Sequence, residues 1–440
     1  MRLMLVRAKR VTLQIIGRYS HLNLSLIDQI VISGTNFTIG ILLARYLGAS
    51  QFGQFSLIWL MVQFLQAIQN AAIIAPMMSI GPRQNASGVK TYYAVVFSHQ
   101  LIFASLSAAL VAAGMLGSLM IQEWNIQALL LPFSALMFAI QIQEFLRRYF
   151  FTVNKPRTSI VIDAIRYVGQ TVALLWLFLW SPWQPTIVEV IWTMLIAASV
   201  SILAGSALIG KIVWTFSQWQ NVSLRHWHTS KWLISTTFVG WMSGELYYVI
   251  AGGLLGSSAV GILKSAQTIM GVTNVFFQGM QNYLPIRASV VFREGGMGQL
   301  SLFIRKTTFL MTFATSIIAM VLCSYPNHVM EFFYGHQFRD YGWVLVGYAI
   351  IYIITALGQA FPVGLLTLER TFATLVAYIV SGFISIVIMY PLVRIQGIAG
   401  VLVGLAIYPA TQSLVQFIAF KQLMAREQIK EQASVADKNC

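Results

Sequence analysis

Twelve apolar runs, each long enough to cross a bilayer as a helix, constrain this chain more than any other feature. They lie near 26–46, 54–80, 92–121, 127–152, 158–180, 187–210, 232–254, 258–288, 303–325, 341–366, 371–391 and 396–420, and are called spans 1 to 12. A helix crossing about 30 Å of hydrocarbon needs about 20 mostly apolar residues. Lipid offers no partner to backbone N–H and C=O groups, so helices must pair them internally. The runs lack the short alternating segments of barrel strands. Only 9% of residues are charged and 58% are hydrophobic, which excludes a soluble globular domain.

Lys and Arg set the orientation, because cytoplasmic loops carry their excess. With an inside N-terminus, 23 of the 28 fall on the inside, against Arg45, Arg339 and Arg394 outside and Arg166 and Lys264 within spans. The expected topology is therefore multi-pass, with both termini cytoplasmic. This bias also explains the net charge of +15, so no nucleic-acid partner is implied. Residues 1–23 mix basic and apolar side chains as an interfacial helix does. They lack the features of a signal peptide.

Two segments point to duplication. Leu47-Gly-Ala-Ser-Gln-Phe-Gly53 and Leu255-Gly-Ser-Ser-Ala-Val-Gly261 lie 208 residues apart, each after the first span of its half. Six spans per half is an even number, so the halves are expected to be parallel repeats related by an axis along the membrane normal. The expected fold class is all-α: a polytopic membrane protein of two six-helix, pseudo-symmetric lobes around a central cavity. The expected division is a lobe at 1–210, a cytoplasmic linker at 211–230, a second lobe at 231–420 and a tail at 421–440. Gly48, Gly53, Gly256 and Gly261 read as turn formers, since Gly reaches φ values that other residues resist. Trp214, Trp219 and Trp227 in the linker are expected at the headgroup level.

The 208-residue offset continues into the next spans. Gln63, Gln66, Gln69 and Asn70 recur every three or four residues in span 2, and Lys264, Gln267, Asn274, Gln278 and Gln281 do so in span 8, with Gly271 between Gln267 and Asn274. The offset pairs Gln66 with Asn274 and Asn70 with Gln278. Amide faces suit protein or a water-filled cavity better than lipid. Interhelical hydrogen bonding and a shared polar cavity both remain open for any single amide.

Charges inside spans read as functional or structural. Asp28 follows Ser25 in a capping-box arrangement, with proton coupling as the rival role. Asp163 and Arg166, three apart in span 5, could pair on one helix face. Arg166 could otherwise face an anionic substrate. Glu245 and Lys264 sit at matched depth in spans 7 and 8, about 10–14 Å from the outer end at 1.5 Å per residue, so they read as an ion pair or as part of a cationic cavity. Glu144, Arg147 and Arg148 form a mixed cluster near the inner end of span 4.

No phosphate loop, His-Glu-x-x-His motif or nucleophile elbow occurs, so no enzyme is expected. The two cysteines, Cys323 and Cys440, give no disulfide framework, and neither metal nor cofactor is expected. Transport, if any, would be passive or driven by an ion or the membrane potential.

The stretch Asp28-Gln-Ile-Val-Ile-Ser-Gly-Thr-Asn-Phe-Thr-Ile-Gly-Ile-Leu-Leu-Ala-Arg-Tyr-Leu-Gly-Ala-Ser-Gln-Phe-Gly53 resembles the start of polysaccharide exporters. These belong to the multidrug, oligosaccharidyl-lipid and polysaccharide flippase superfamily, and include the O-antigen flippases. The amide-rich span 2 and the six-plus-six layout extend the resemblance over nearly the whole chain. It implies alternating access that carries a polyprenyl-diphosphate-linked oligosaccharide to the outer leaflet of a bacterial inner membrane. The substrate and membrane lipids are the implied partners, with other polysaccharide-assembly membrane proteins as further candidates.

Joined to the residue reading, this assigns Arg166 and Lys264 to the diphosphate or acidic sugars. Gln66, Asn70, Asn274 and Gln278 are assigned to sugar hydroxyls, while Asp28, Asp163 and Glu245 are coupling or structural charges. A multidrug antiporter coupled through Asp28 is the main rival. A lipid II flippase is disfavoured because those resemble fourteen-helix proteins. A membrane glycosyltransferase or O-antigen polymerase is disfavoured by the short loops.

Overall fold

Helices form wherever the sequence is apolar. The structure, a computed structural model, describes residues 2–85, 88–117, 126–209, 218–368 and 370–438, with side chains described between 28 and 425 save 126, 279, 282 and 371 within those ranges. Trp214, Cys440 and the Ser25 side chain lie outside the described residues. The helices are α1 (Arg2–Gln69), α2 (Ala75–Ile80), α3 (Val89–Gly117), α4 (Ile126–Thr152), α5 (Pro156–Asp163), α6 (Gly169–Trp180), α7 (Ile187–Ile209) and α8 (Trp219–Gly244). They continue with α9 (Leu246–Leu255), α10 (Ser257–Met270), α11 (Val272–Cys323), α12 (Pro326–Tyr334), α13 (Gly342–Gly358), α14 (Phe361–Thr367), α15 (Thr371–Gln396) and α16 (Ile398–Lys438). No strand occurs among the described residues.

The chain is an all-α, multi-pass membrane protein. Among the described residues, nine continuous helical stretches are long and apolar enough to cross a membrane. Two of them, Asp28–Arg83 with 56 residues and Val272–Cys323 with 52, are each divided by a glycine with φ in the left-handed region, Gly48 at 77° and Gly296 at 62°. The first therefore carries predicted spans 1 and 2, and the second carries the latter part of span 8 together with span 9. Span 7 is interrupted at Glu245, between α8 and α9, and so falls short of continuous crossing length. Asp28 sits within α1, well after its start at Arg2, rather than at a helix start, which removes the capping role.

The chain forms two compact units. Unit 1 comprises residues 1–42 and 61–237, and unit 2 comprises 43–60 and 238–440. In unit 1, α4 packs on α3 and α7, and Met77, Tyr92, Val96, Phe145, Phe150 and Ile162 are among its buried core. Polar side chains stitch the helices together. Gln69 and Gln100 both donate to the Gln141 carbonyl, at 2.7 and 3.1 Å, and Ser201 Oγ donates to Ile162 O at 2.7 Å. In unit 2, α13 and α15 pack on α16, and α11 packs on α13. Where α8 breaks, Ser385 Oγ donates to Ser243 O at 3.0 Å and Tyr247 OH donates to Ser385 O at 3.1 Å. Lipid cannot supply these partners, so neighbouring helices do.

The duplicated glycine segments meet inside unit 2. Gly48 and Gly256 hold matching left-handed conformations, φ/ψ 77/172° and 86/167°. Gly53 and Gly261 differ from the expected role. Both are helical, and a Cβ on Gly53 would lie 1.7 Å from Ser257 O, while one on Gly261 would lie 2.0 Å from Ala49 O. They make close backbone approach, not a turn. Ser50 and Ser257 hydroxyls are 3.3 Å apart beside the crossing, and Arg45 donates to Phe332 O at 3.2 Å.

The first turns of α8 are anchored in unit 1. His226 Nε2 lies 2.9 Å from Tyr92 OH, His99 Nε2 lies 2.9 Å from Ser223 Oγ, and Trp219 meets the His99 ring at 4.3 Å. Trp219 thus packs against protein, whereas Trp227 remains 59% exposed. Burial, followed by neighbouring His99, lowers the His226 pKa from 6.5 to about 4. A histidine held neutral in the fold binds fewer protons than the unfolded chain below pH 6.5. Its stabilising contribution is complete above that value and is lost as pH falls towards 4. Melting from pH 7 to pH 4 should therefore cost the native protein roughly 3 kcal/mol that His226→Gln does not lose. Equal losses in both proteins would refute the assignment.

Candidate functional site

Unit 1 gathers charges at Arg147 on α4. Its Nη2 is 2.9 Å from Asp28 Oδ2 of α1, its Nε is 2.9 Å from Asp163 Oδ2 of α5, and its Nη1 is 3.2 Å from Glu144 Oε1. Arg148 holds the other side of Glu144 at 2.7 Å. Asp28 and Asp163 are 2% and 0% exposed. Carboxylates so buried need a fixed counter-charge, and the Arg147 fork supplies donors in several directions at once.

Asp163 does not pair with Arg166. A wider π turn at Ala164–Val168 follows α5, and it rotates Arg166 away from the face that α-helical spacing would give. Gln143 stands between the two, donating to Asp163 Oδ1 at 2.9 Å and accepting from Arg166 Nη1. The Arg166 guanidinium also lies 4.7 Å over the Tyr167 ring. Arg166 is itself buried, with its charge directed into unit 1 packing.

The amides of span 2 separate. Gln69 is fully buried and donates to Gln100 Oε1 at 3.0 Å, which is the interhelical role. Gln66 is half-buried, while Gln63 and Asn70 are exposed. Asn70 opens a π turn that leads into Pro76.

Unit 2 holds a cavity of about 410 Å³. Gln267 of α10 and Asn274, Gln278 and Gln281 of α11 line one side. Tyr348, Tyr352, Thr355 and Gln359 face them from α13 and the turn after it. Tyr248 OH and Tyr348 OH lie 2.7 Å apart. Asn274 donates to Tyr352 OH and Gln281 donates to Gln359 Oε1, both at 3.3 Å, long for such bonds. The Phe277 and Tyr352 rings lie 19° from parallel with centroids 6.3 Å apart.

Beside the cavity, Lys264 Nζ is 3.0 Å from Glu245 Oε2 and 3.6 Å from the centroid of the Tyr248 ring. The ammonium thus has a carboxylate and a π face for partners. The tyrosines and Gln359 were absent from the sequence-based candidates. A signal was present, because Tyr348, Tyr352, Thr355 and Gln359 recur at helical spacing within span 10.

No protein-family model matches the chain, and no curated protein sequence matches it. Solved structures do. An inward-facing multidrug-resistance MATE-family transporter of the MOP superfamily superposes with a TM-score of 0.64 at 13% identity, over 92% of this chain and 95% of that one. The lipid II flippase MurJ in an inward closed conformation gives 0.65 at 12% identity, over 91% and 87%. A MOP-superfamily transporter from Pyrococcus furiosus, described as having a binding pocket of reverse polarity, gives 0.54 at 15% identity, over 93% of each. At these identities the likeness establishes the fold, which is that of MOP-superfamily transporters.

Proposed function

We propose that the chain is a flippase. It moves a polyprenyl-diphosphate-linked oligosaccharide from the inner to the outer leaflet by alternating access, for surface-polysaccharide synthesis at a bacterial inner membrane. The observation that carries this reading is the unit 2 cavity, whose amides and phenols match the hydroxyl-rich surface of a sugar. A fold shared with a lipid II flippase lends support. Asn274 and Gln278 contact sugar in this reading. Gln66 and Asn70 are amides of the same chemistry within unit 1. The polyprenyl tail stays in lipid.

Arg166 and Lys264, the two cations expected to hold the diphosphate, are already engaged within their own units by Gln143 and Glu245, so this reading gives neither of them that role. Asp28 and Asp163 serve chiefly to neutralise Arg147.

The test uses the protein in vesicles carrying a fluorescent polyprenyl-diphosphate oligosaccharide on one leaflet. Native protein should expose the label to a membrane-impermeant quencher on the other. Asn274→Ala/Gln278→Ala should slow this about tenfold, the loss expected for one or two hydrogen bonds to substrate, without shifting the melting temperature. An unchanged rate sinks the assignment of these amides.

A cation-coupled multidrug antiporter is the second reading. Buried carboxylates at Asp28 and Asp163 favour it, because protonation would release them from Arg147. Gradient-driven loss of a lipophilic cation from the same vesicles, with no movement of the lipid-linked sugar, would select it.

A further inference from the structure

We infer that the unit 2 cavity is a subsite for uncharged, hydroxyl- and acetamido-bearing sugar residues, and that the Glu245–Lys264 pair sets this preference by keeping the site neutral. This rests on the flippase reading and narrows its substrate.

Among the described residues, every polar side chain lining the cavity is uncharged: five amides, three phenols and the Thr355 hydroxyl. Each amide offers a carbonyl acceptor and an NH₂ donor, and each phenol can do either. That is the pattern a ring of sugar hydroxyls needs, since each hydroxyl both gives and takes. Gln267 and Gln278 make no side-chain hydrogen bond among the described residues, and the two amide contacts that do form are long at 3.3 Å. These groups are available to a ligand at little cost in broken bonds. The near-parallel Phe277 and Tyr352 rings offer an apolar surface to the C–H face of a pyranose. A volume of about 410 Å³ suits one or two sugar units, not a whole chain.

Ions fit this site poorly. A cationic ligand needs an uncompensated carboxylate, and Glu245 already faces Lys264 at 3.0 Å. An anionic ligand needs an uncompensated cation, and Lys264 is held by that same carboxylate and capped by Tyr248 at 3.6 Å. The field reaching the cavity is that of a dipole, which weakens much faster with distance than that of a charge. Glu245 and Lys264 are positioning residues here. They touch no sugar, and they determine which charge the sugar can carry.

Binding is measured on the purified protein in lipid nanodiscs with three probes of one size. These are chitotetraose, which is neutral and acetylated; its deacetylated glucosamine tetramer, which is cationic; and tetragalacturonate, which is anionic. Native protein should prefer chitotetraose about tenfold over either charged probe, and Gln267→Ala/Gln278→Ala should remove that preference. Lys264→Gln, which bares Glu245, should shift preference to the glucosamine tetramer. Glu245→Gln, which bares Lys264, should shift it to tetragalacturonate. Because either single variant could misfold, Glu245→Gln/Lys264→Gln restores neutrality and should restore the chitotetraose preference.

Native preference for a charged probe overturns the inference, as does an unaltered preference in both single variants. If the lipid-linked sugar flips while chitotetraose fails to bind, the inference fails and the flippase reading stands. If chitotetraose binds with the expected swaps but no lipid-linked sugar moves, the flippase reading fails and the neutral sugar subsite stands.

Discussion

Gly53→Ala and Gly261→Ala should each destabilise the protein by about 3 kcal/mol, the upper end of what overpacking costs, and the corresponding valines should fail to accumulate. The obstruction is backbone, not a side chain that could swing away. A Cβ at Gly53 meets the Ser257 carbonyl at 1.7 Å, and one at Gly261 meets the Ala49 carbonyl at 2.0 Å. Relief requires the whole crossing to open by more than an ångström, which removes the Ser50–Ser257 contact with it. Gly253→Ala is the control. Nothing lies within 4 Å of its added Cβ, and it sits in helix α9. There alanine should be neutral or stabilising by about 0.5–1 kcal/mol. Thermal melts in detergent decide the matter, and equal behaviour at all three glycines would show that the crossing does not constrain the fold.

The second large effect is at Arg147. Arg147→Ala leaves Asp28 and Asp163 buried without their common cation, and removing one partner of a buried ion pair costs about 3–5 kcal/mol. Removing the orphaned charges should recover much of that loss, so Arg147→Ala/Asp28→Asn/Asp163→Asn should melt above Arg147→Ala alone. Arg147→Lys should fall between native protein and the alanine variant. A lysine is a single point charge and cannot reach three carboxylates with a planar fork. If the triple variant melts no higher than Arg147→Ala, the cost lies in lost packing of the long side chain, and the electrostatic account fails.

The features legible in the sequence were those with a local period. Apolar length marked the membrane-crossing segments, and helical spacing marked Asn274 and Gln278 as members of one polar face. The 208-residue repeat brought out two glycine pairs. It could not tell that Gly48 and Gly256 bend the chain whereas Gly53 and Gly261 allow two backbones to touch, because a close approach depends on what lies opposite. Asp163 shows the same limit. Its neighbour in sequence was Arg166, but the π turn after Asp163 changed the register and Arg147, on another helix, took its place. Tyr348 and Tyr352 stand at plain helical spacing, but tyrosine in an apolar run is also common at membrane interfaces, so spacing alone does not mark them as cavity lining. The cavity that they line forms only when α10, α11 and α13 come together.

The glycine crossing has the reciprocity of an isologous dimer contact, in which residue i of one copy meets j of the other and j meets i. Here 53 meets 257 and 261 meets 49, and each pair becomes the other under the 208-residue shift. One polypeptide thus carries a two-fold interface with itself. The two alanine substitutions therefore act on a single gap, and once the first has opened it the second finds room. Gly53→Ala/Gly261→Ala should cost clearly less than the sum of its parts, whereas two unrelated sites of equal severity would simply add.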